Sequence, residues 1–280
     1  MKLNYKRTFF VGLAFMSICA FWQVYDNVIP LILKDTFHVR DSYIGIVMAM
    51  DNVLALFMLP LFGKLSDKTR TKIGRRMPYI LGGTILALLC LAIMPAAQKQ
   101  NNALLFFIGL GLVLIAMATY RSPAVALMPD VTPKPLRSQG NAVINLMGSA
   151  GGILVLALGM VFATSAVRNS LMSYTGYFAV IAAIMLVALV IFMLTVREKE
   201  WAYEMQQQAV ALGIEEETQE QEEAEGGRKL SVDEVRSLIL LLLSIVLWFF
   251  GYNAVTSKYS VYASNILHKD YNLTLIIAQA

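Results

Sequence analysis

Charge is what this sequence most conspicuously lacks. Of its 280 residues only 15% are Asp, Glu, Lys or Arg, whereas 58% are hydrophobic, and the mean hydropathy is +0.61. A water-soluble domain of this length has no interior large enough for so many apolar side chains, so an ordinary soluble fold is excluded. Cysteine is scarce as well. Cys19 and Cys90 both fall inside apolar stretches, which excludes a disulfide framework or a thiolate metal cluster. The two histidines, His38 and His268, sit in different connecting segments and give no ligand spacing. With no metal set, no nucleophile–base pair and no phosphate-binding loop, the sequence is not expected to be an enzyme, to hold a cofactor or to bind nucleic acid.

What the sequence does have is long apolar runs. A hydrocarbon core about 30 Å thick needs roughly 20 apolar residues per helix. Seven stretches qualify: 9–33, 43–62, 78–97, 103–128, 140–164, 174–196 and 237–264. "NLTLIIAQA" at the end reads as the start of an eighth, so further helices are expected beyond the last residue. The first stretch is too long for a signal-peptide core, has no small-residue cleavage site and is followed by more spans. The glycosylation pattern at Asn272 lies against a membrane segment and is read as chance. Connections on the side of the N-terminus carry 16 of the 23 Lys and Arg residues, which puts the N-terminus in the cytoplasm. The expected fold is an all-α polytopic membrane protein.

Segment 197–236 breaks the apolar pattern. It holds 12 acidic against 5 basic residues, reads as a solvated linker with some helix near "EKEWAYEMQQQ", and ends at a capping box, Ser231 with Glu234. The expected organisation is a six-helix bundle over 1–196, an acidic cytoplasmic linker over 197–236, and the start of a second bundle over 237–280. Six spans followed by a long loop match transporters built from two six-helix repeats. A faint repeat agrees: "WQVYDNV" in helix 1 aligns with "FFGYNAV" in helix 7, pairing Trp22 with Phe249, Tyr25 with Tyr252 and Asp26 with Asn253.

The most informative motif is "GKLSDKTRTKIGRRMPYI", Gly63 to Ile80. Gly63 allows helices to approach closely, six basic residues hold the loop on an anionic membrane face, and Asp67 is placed to pair with an arginine or to face a helix N-terminus. Pro78 suits the first turn of helix 3. This stretch resembles the helix 2–3 loop of the major facilitator superfamily. More narrowly, it is similar to the sucrose/proton symporters and the glycoside–pentoside–hexuronide:cation symporter group. "ALMPD" and "GNAVINLMGSAGG" resemble the same group. The resemblance implies a major-facilitator fold and a gating role for Gly63, Asp67, Gly74, Arg75 and Arg76. It does not transfer the coupling residue. The middle of helix 4 has no acid, Val125 stands where plant-type members carry an arginine, and Ala55 and Leu59 occupy the region of the paired helix 2 aspartates.

Three ionisable residues therefore stand out within the N-terminal spans: Asp26, Asp51 and Arg121. Asp51 lies about 12 Å from the outer end of helix 2 and Arg121 about 13 Å from the inner end of helix 4, depths that suit a pair. A static bridge would account for both. Alternatively, Asp51, Asp26 or both change protonation or cation occupancy, since intramembrane ionisable groups usually serve function. A proton is favoured over Na⁺, which wants several oxygen ligands; Asn27 or Asn52 could assist such an ion. Asp130 reads as a structural acid at the inner end of helix 4. Trp22, Tyr25, Asn27, Tyr120, Asn145, Tyr252 and Asn253 are the candidates for binding a sugar through aromatic stacking and polar donors and acceptors, though each alone also suits interhelical packing.

The sequence thus points to a plasma-membrane secondary transporter, monomeric at full length, that couples a sugar or glycoside to H⁺. An uncoupled facilitator or exporter of another polar solute, or a non-transporting receptor or scaffold, are the alternatives.

Overall fold

The computed structural model describes residues 3–162, 174–211, 231–266, 272, 273, 275 and 276, with the side chains of Asp41, Phe249 and 252–265 outside that description. Eight α-helices follow one another among the described residues: α1 Tyr5–Asp35, α2 Asp41–Lys68, α3 Met77–Lys99, α4 Ala103–Asp130, α5 Arg137–Val161, α6 Thr175–Thr195, α7 Glu198–Ala211 and α8 Val232–Asn265. A 3₁₀ turn, Lys134–Leu136, leads into α5. No strand occurs among the described residues. The first six helices are long and apolar enough to cross a membrane.

Short connections turn the chain back sharply between α1 and α2 and between α3 and α4. Residues 36–40 join α1 to α2, and 100–102 join α3 to α4. Local hydrogen bonds close the starts of two of these helices: the Asn4 side chain accepts the Arg7 amide, and the Asn102 side chain accepts the Leu105 amide. Each satisfies one of the donors that a helix N-terminus leaves open.

Within the bundle α1 packs on α5, α6 and α4, α3 packs on α4 and α6, and α2 lies against α4 and α1. Exchanging helices 1–3 for 4–6 reproduces this pattern. The α1–α5 contact maps onto α4–α2, α3–α4 onto α6–α1, and α1–α4 and α3–α6 onto themselves. The six helices are thus two three-helix units with matching packing. α1 is the most enclosed, burying Phe21, Val24, Tyr25, Val28, Ile29 and Ile32 on one side. α2 is the edge helix, with Ile46, Met50, Val53, Phe57 and Leu61 exposed.

Small residues set the closest approaches. In a membrane, apolar side chains gain little by leaving lipid, so helices associate through tight contact and hydrogen bonds. The "GNAVINLMGSAGG" stretch supplies this on α5. A Cβ at Gly148 would meet Cys19 Sγ at 2.8 Å, and one at Gly151 would collide with the Met16 carbonyl. On α3 a Cβ at Gly83 would lie 2.7 Å from Tyr120 Cβ, whereas one at the adjoining Gly82 would meet nothing within 4 Å.

One boundary differs clearly from the sequence reading. Gly63 to Lys68, expected in a connecting loop, form the last turns of α2, so the connection proper is 69–76. Gly63 is still a close-approach site, with Ser122 Oγ of α4 at 3.0 Å from its Cβ position. The seventh expected span is the long helix α8, entered through the expected capping box: the Ser231 amide donates to Glu234 Oε2 (2.7 Å) and the Glu234 amide to Ser231 Oγ (3.3 Å). Its described side chains are exposed. Most of the expected eighth span lies outside the described residues.

Gly83→Ala is expected to destabilise the purified protein by about 1–3 kcal/mol through overpacking, while Gly82→Ala is neutral or slightly stabilising. Melting temperatures in detergent compare the two.

Candidate functional site

The expected site residues fall into two groups, one in the middle of the bundle and one at the end that carries the start of α1. In the middle, α1 presents Trp22, Gln23, Asp26 and Asn27 within little more than one turn. Trp22 stands edge-on to Tyr25, with ring centroids 5.3 Å apart. Tyr25 is 1% exposed, and its hydroxyl donates to the carbonyls of Met48 (3.3 Å) and Val47 (3.4 Å) on α2. That bond pins α1 to α2 one turn before Asp51. Asp51 is half-buried, and Asn52 Nδ2 donates to its Oδ1 at 2.8 Å. Asp26 is exposed on the open side of α1, within the fields of both Asp51 and Arg121.

Arg121 does not bridge to Asp51. Its guanidinium stands over the Trp22 ring, 5.3 Å from the centroid, a cation–π contact in which a ring face replaces a carboxylate. Among the described residues it forms no ion pair. The matched depths did bring Arg121 and the two aspartates within electrostatic reach of one another, but Trp22 occupies the position next to the cation.

The remaining aromatic and amide candidates separate by position. Tyr120 is fully enclosed, facing Gly83 and a cavity of about 10 Å³ that Ser17 and Thr84 also line. It belongs to the bundle interior and not to the open side. Tyr25 likewise serves as an interhelical tie. Asn27 donates to the Gln23 carbonyl of its own helix (2.9 Å), and Asn145 is exposed on α5. The side chains of Tyr252 and Asn253 lie outside the described part of α8. Sequence reasoning missed Gln23. Its Nε2, like Trp22 Nε1, is buried without a hydrogen-bond partner among the described residues, so α1 offers two uncommitted donors beside the aspartates.

The second group is a charge network. Arg76 is 4% exposed, and its guanidinium is nearly saturated. Nε donates to Asp130 Oδ2 (2.9 Å), Nη1 to Ser66 Oγ (2.5 Å) and the Gly63 carbonyl (3.4 Å), and Nη2 pairs with Asp67. Arg75 Nη2 reaches the other Asp130 oxygen at 2.7 Å. The ends of α2 and α4 are thereby joined to the start of α3. Gly74 makes the preceding turn with φ +136°, a conformation that excludes side chains from this path.

Glu198, the first residue of α7, completes the network and was not foreseen. Its carboxylate accepts the backbone amides of Arg75 (2.9 Å), Arg76 (3.0 and 3.1 Å) and Met77 (3.2 Å). The sequence signal was an acid directly after helix 6, followed by Trp201 on an otherwise polar segment. Burial pushes the Glu198 carboxyl above the usual glutamate range; the three amides pull it back, and Asp130 adds to the rise.

The sequence profile of the Major Facilitator Superfamily matches residues 11–279. The chain belongs to that superfamily. Similar proteins include the sucrose transport protein SUC3 of Arabidopsis thaliana, 26% identical over 143 residues (44% of this chain and 24% of that protein). Human solute carrier family 45 member 3 is 29% identical over 136 residues, 45% of this chain and 24% of that protein. The isoprimeverose transporter of Lactiplantibacillus pentosus is 24% identical over 165 residues, 56% of this chain and 34% of that protein. The chain thus matches only a quarter to a third of these relatives' lengths. Within this superfamily member the six-helix bundle, with its two matched three-helix units, is the part the structure describes most fully.

Arg76→Ala removes the guanidinium donor of Ser66 and one of the two guanidiniums on Asp130, and is expected to cost about 3 kcal/mol, against about 1 kcal/mol for the more exposed Arg75→Ala. Chemical denaturation measures both. Glu198 has a second, pH-dependent signature. A carboxyl raised in the folded state contributes stability fully below the unfolded glutamate pKa, about 4.3, and loses it as pH rises through the folded value. The melting-temperature advantage of wild type over Glu198→Gln should therefore shrink with rising pH.

Proposed function

We propose that this chain is part of a secondary transporter that couples uptake of a neutral sugar or glycoside to a proton. The observation that carries the reading is the grouping of Asp26, Asp51 and Arg121 around Trp22, on three different helices and beside the uncommitted donors of α1. Two relatives carry names of sugar transporters, for sucrose and for isoprimeverose, which supports the substrate class.

The chemistry follows from charge. Two carboxylates and one guanidinium leave a net charge of −1, and one bound proton neutralises it. Because Arg121 rests on Trp22, neither aspartate is held in a bridge that would oppose protonation. Asn52 orients the Asp51 carboxylate through its Oδ1. The sugar would stack on Trp22 and hydrogen-bond to Gln23, Asn27 and Asn145, with Tyr252 and Asn253 contributing from α8. Tyr25 and Tyr120 would act only by holding the helices. Proton and sugar cooperate if both favour the same conformation, and rocking of two bundles about the central site would give alternating access. In this reading the N-terminus and the Arg76 network face the cytoplasm, the bilayer is the plasma membrane, and the full-length protein works as a monomer.

The test uses the full-length protein in vesicles with labelled sugar, with and without an inward proton gradient. Wild type is expected to accumulate sugar only with the gradient. Asp51→Asn or Asp26→Asn should abolish accumulation while preserving counterflow, in which no net proton moves. Accumulation by both variants equal to wild type would overturn the coupling assignment. Transport of no solute at all by wild type would instead favour a receptor.

A further inference from the structure

We infer that Glu198 is a positioning residue for the α2–α3 connection, holding the backbone from which Arg75 and Arg76 reach Asp130 and Asp67. This rests on the reading of the protein as a transporter in which that connection takes part in the conformational change.

The geometry is that of a helix cap supplied from a distant part of the chain. Residue 76 is the N-cap position of α3, but its own side chain makes no cap hydrogen bond. Three consecutive amides at this helix start point instead to one carboxylate, more than 120 residues away in sequence. A negative group there also meets the positive end of the α3 dipole. The fit is close, because a Cβ added at Gly74 would overlap the Glu198 carboxylate. Only a glycine at 74 leaves room for it.

Glu198 is held in turn by the rest of α7. Trp201, Met205 and Ala209 are buried at roughly helical spacing. Arg7 of α1 pairs with Glu204 at 2.5 Å, and its guanidinium lies 5.1 Å from the Trp201 ring centroid. α7 therefore crosses the end of the bundle as a strap, fastened at one point to α1 and at the other to α3. It also leads directly out of α6, so its position is tied to the end of the second three-helix unit as well as to α1 and α3 of the first. A shift of α7 moves Glu198. Without the carboxylate, the amides at 75–77 lose their acceptors, the turn at Gly74 loses its lock, and the two guanidiniums lose their starting point.

A residue that only adds stability would loosen the fold broadly, whereas a positioning residue loosens residues 75–77 and slows the conformational step. The test again uses the full-length protein. Hydrogen–deuterium exchange is followed by mass spectrometry in wild type, Glu198→Ala, Glu198→Asp and Arg76→Ala, alongside initial uptake rates. Glu198→Ala is expected to speed exchange in the peptide covering 75–77 by about tenfold and leave the middle of α3 unchanged. Its maximal uptake rate should fall by about tenfold with KM within about twofold of wild type, and Glu198→Asp should restore part of both. The Glu198→Ala/Arg76→Ala double variant should transport no worse than Arg76→Ala alone, because the two residues act through one network. Unchanged exchange at 75–77 would overturn the inference, as would a double-variant loss equal to the product of the single losses. If wild type transports nothing, the transport reading fails, while the exchange comparison still decides whether Glu198 holds this backbone.

Discussion

A guanidinium buried to 4% exposure is the constraint on which one whole end of this bundle depends. Removing such a charge from water costs several kcal/mol, and that cost is recovered only where nearly every N–H finds an acceptor. Arg76 finds them on the last turns of α2 and at the end of α4. Neither helix can move far without leaving part of the charge unpaired. Once Arg76 is placed, Arg75 shares Asp130 with it, and the backbone of both must begin where the Glu198 carboxylate can reach. The termini of three helices and the start of the strap that follows α6 are consequences of one buried cation.

The middle of the bundle follows a different rule. There the cation rests on a ring face and not on an acid, the acids remain accessible on the open side or half-buried, and two indole and amide donors are left uncommitted. A cation–π contact is worth about 0.5–2 kcal/mol, well below what a buried ion pair resists when broken. One end of the bundle is therefore held by strong, saturated interactions and the middle by weak, exchangeable ones. Such a division suits a protein proposed to rearrange around its centre.

Hydropathy was sufficient for the six spans, because a long apolar run has few alternatives in a bilayer. The Gly-Arg-Arg-x-Pro motif carried the family and marked Arg75, Arg76 and Asp67 before their partners were visible. Two adjoining glycines, 82 and 83, look identical in sequence, yet only Gly83 faces another helix. Helix rotation decides that, and an almost uniformly apolar span gives little sign of rotation. The same uncertainty left open whether Tyr120 faces a ligand or its neighbouring helices; its side chain is enclosed within the bundle. The Arg121–Asp51 pairing failed for a related reason: depth along a helix could be counted, but the lateral position of Trp22 could not. Glu198 was hidden because its partners are backbone amides, which leave no complementary residue type to recognise.

The self-contained packing of the first six helices bears on biogenesis. The first six helices can satisfy one another as they leave the ribosome, since the main helix–helix contacts among the described residues lie within that set. Among the described residues of α8, Leu240, Leu243 and Leu247 are exposed. A bundle that closes on its own contacts can pack as a unit before the segments that follow it are inserted.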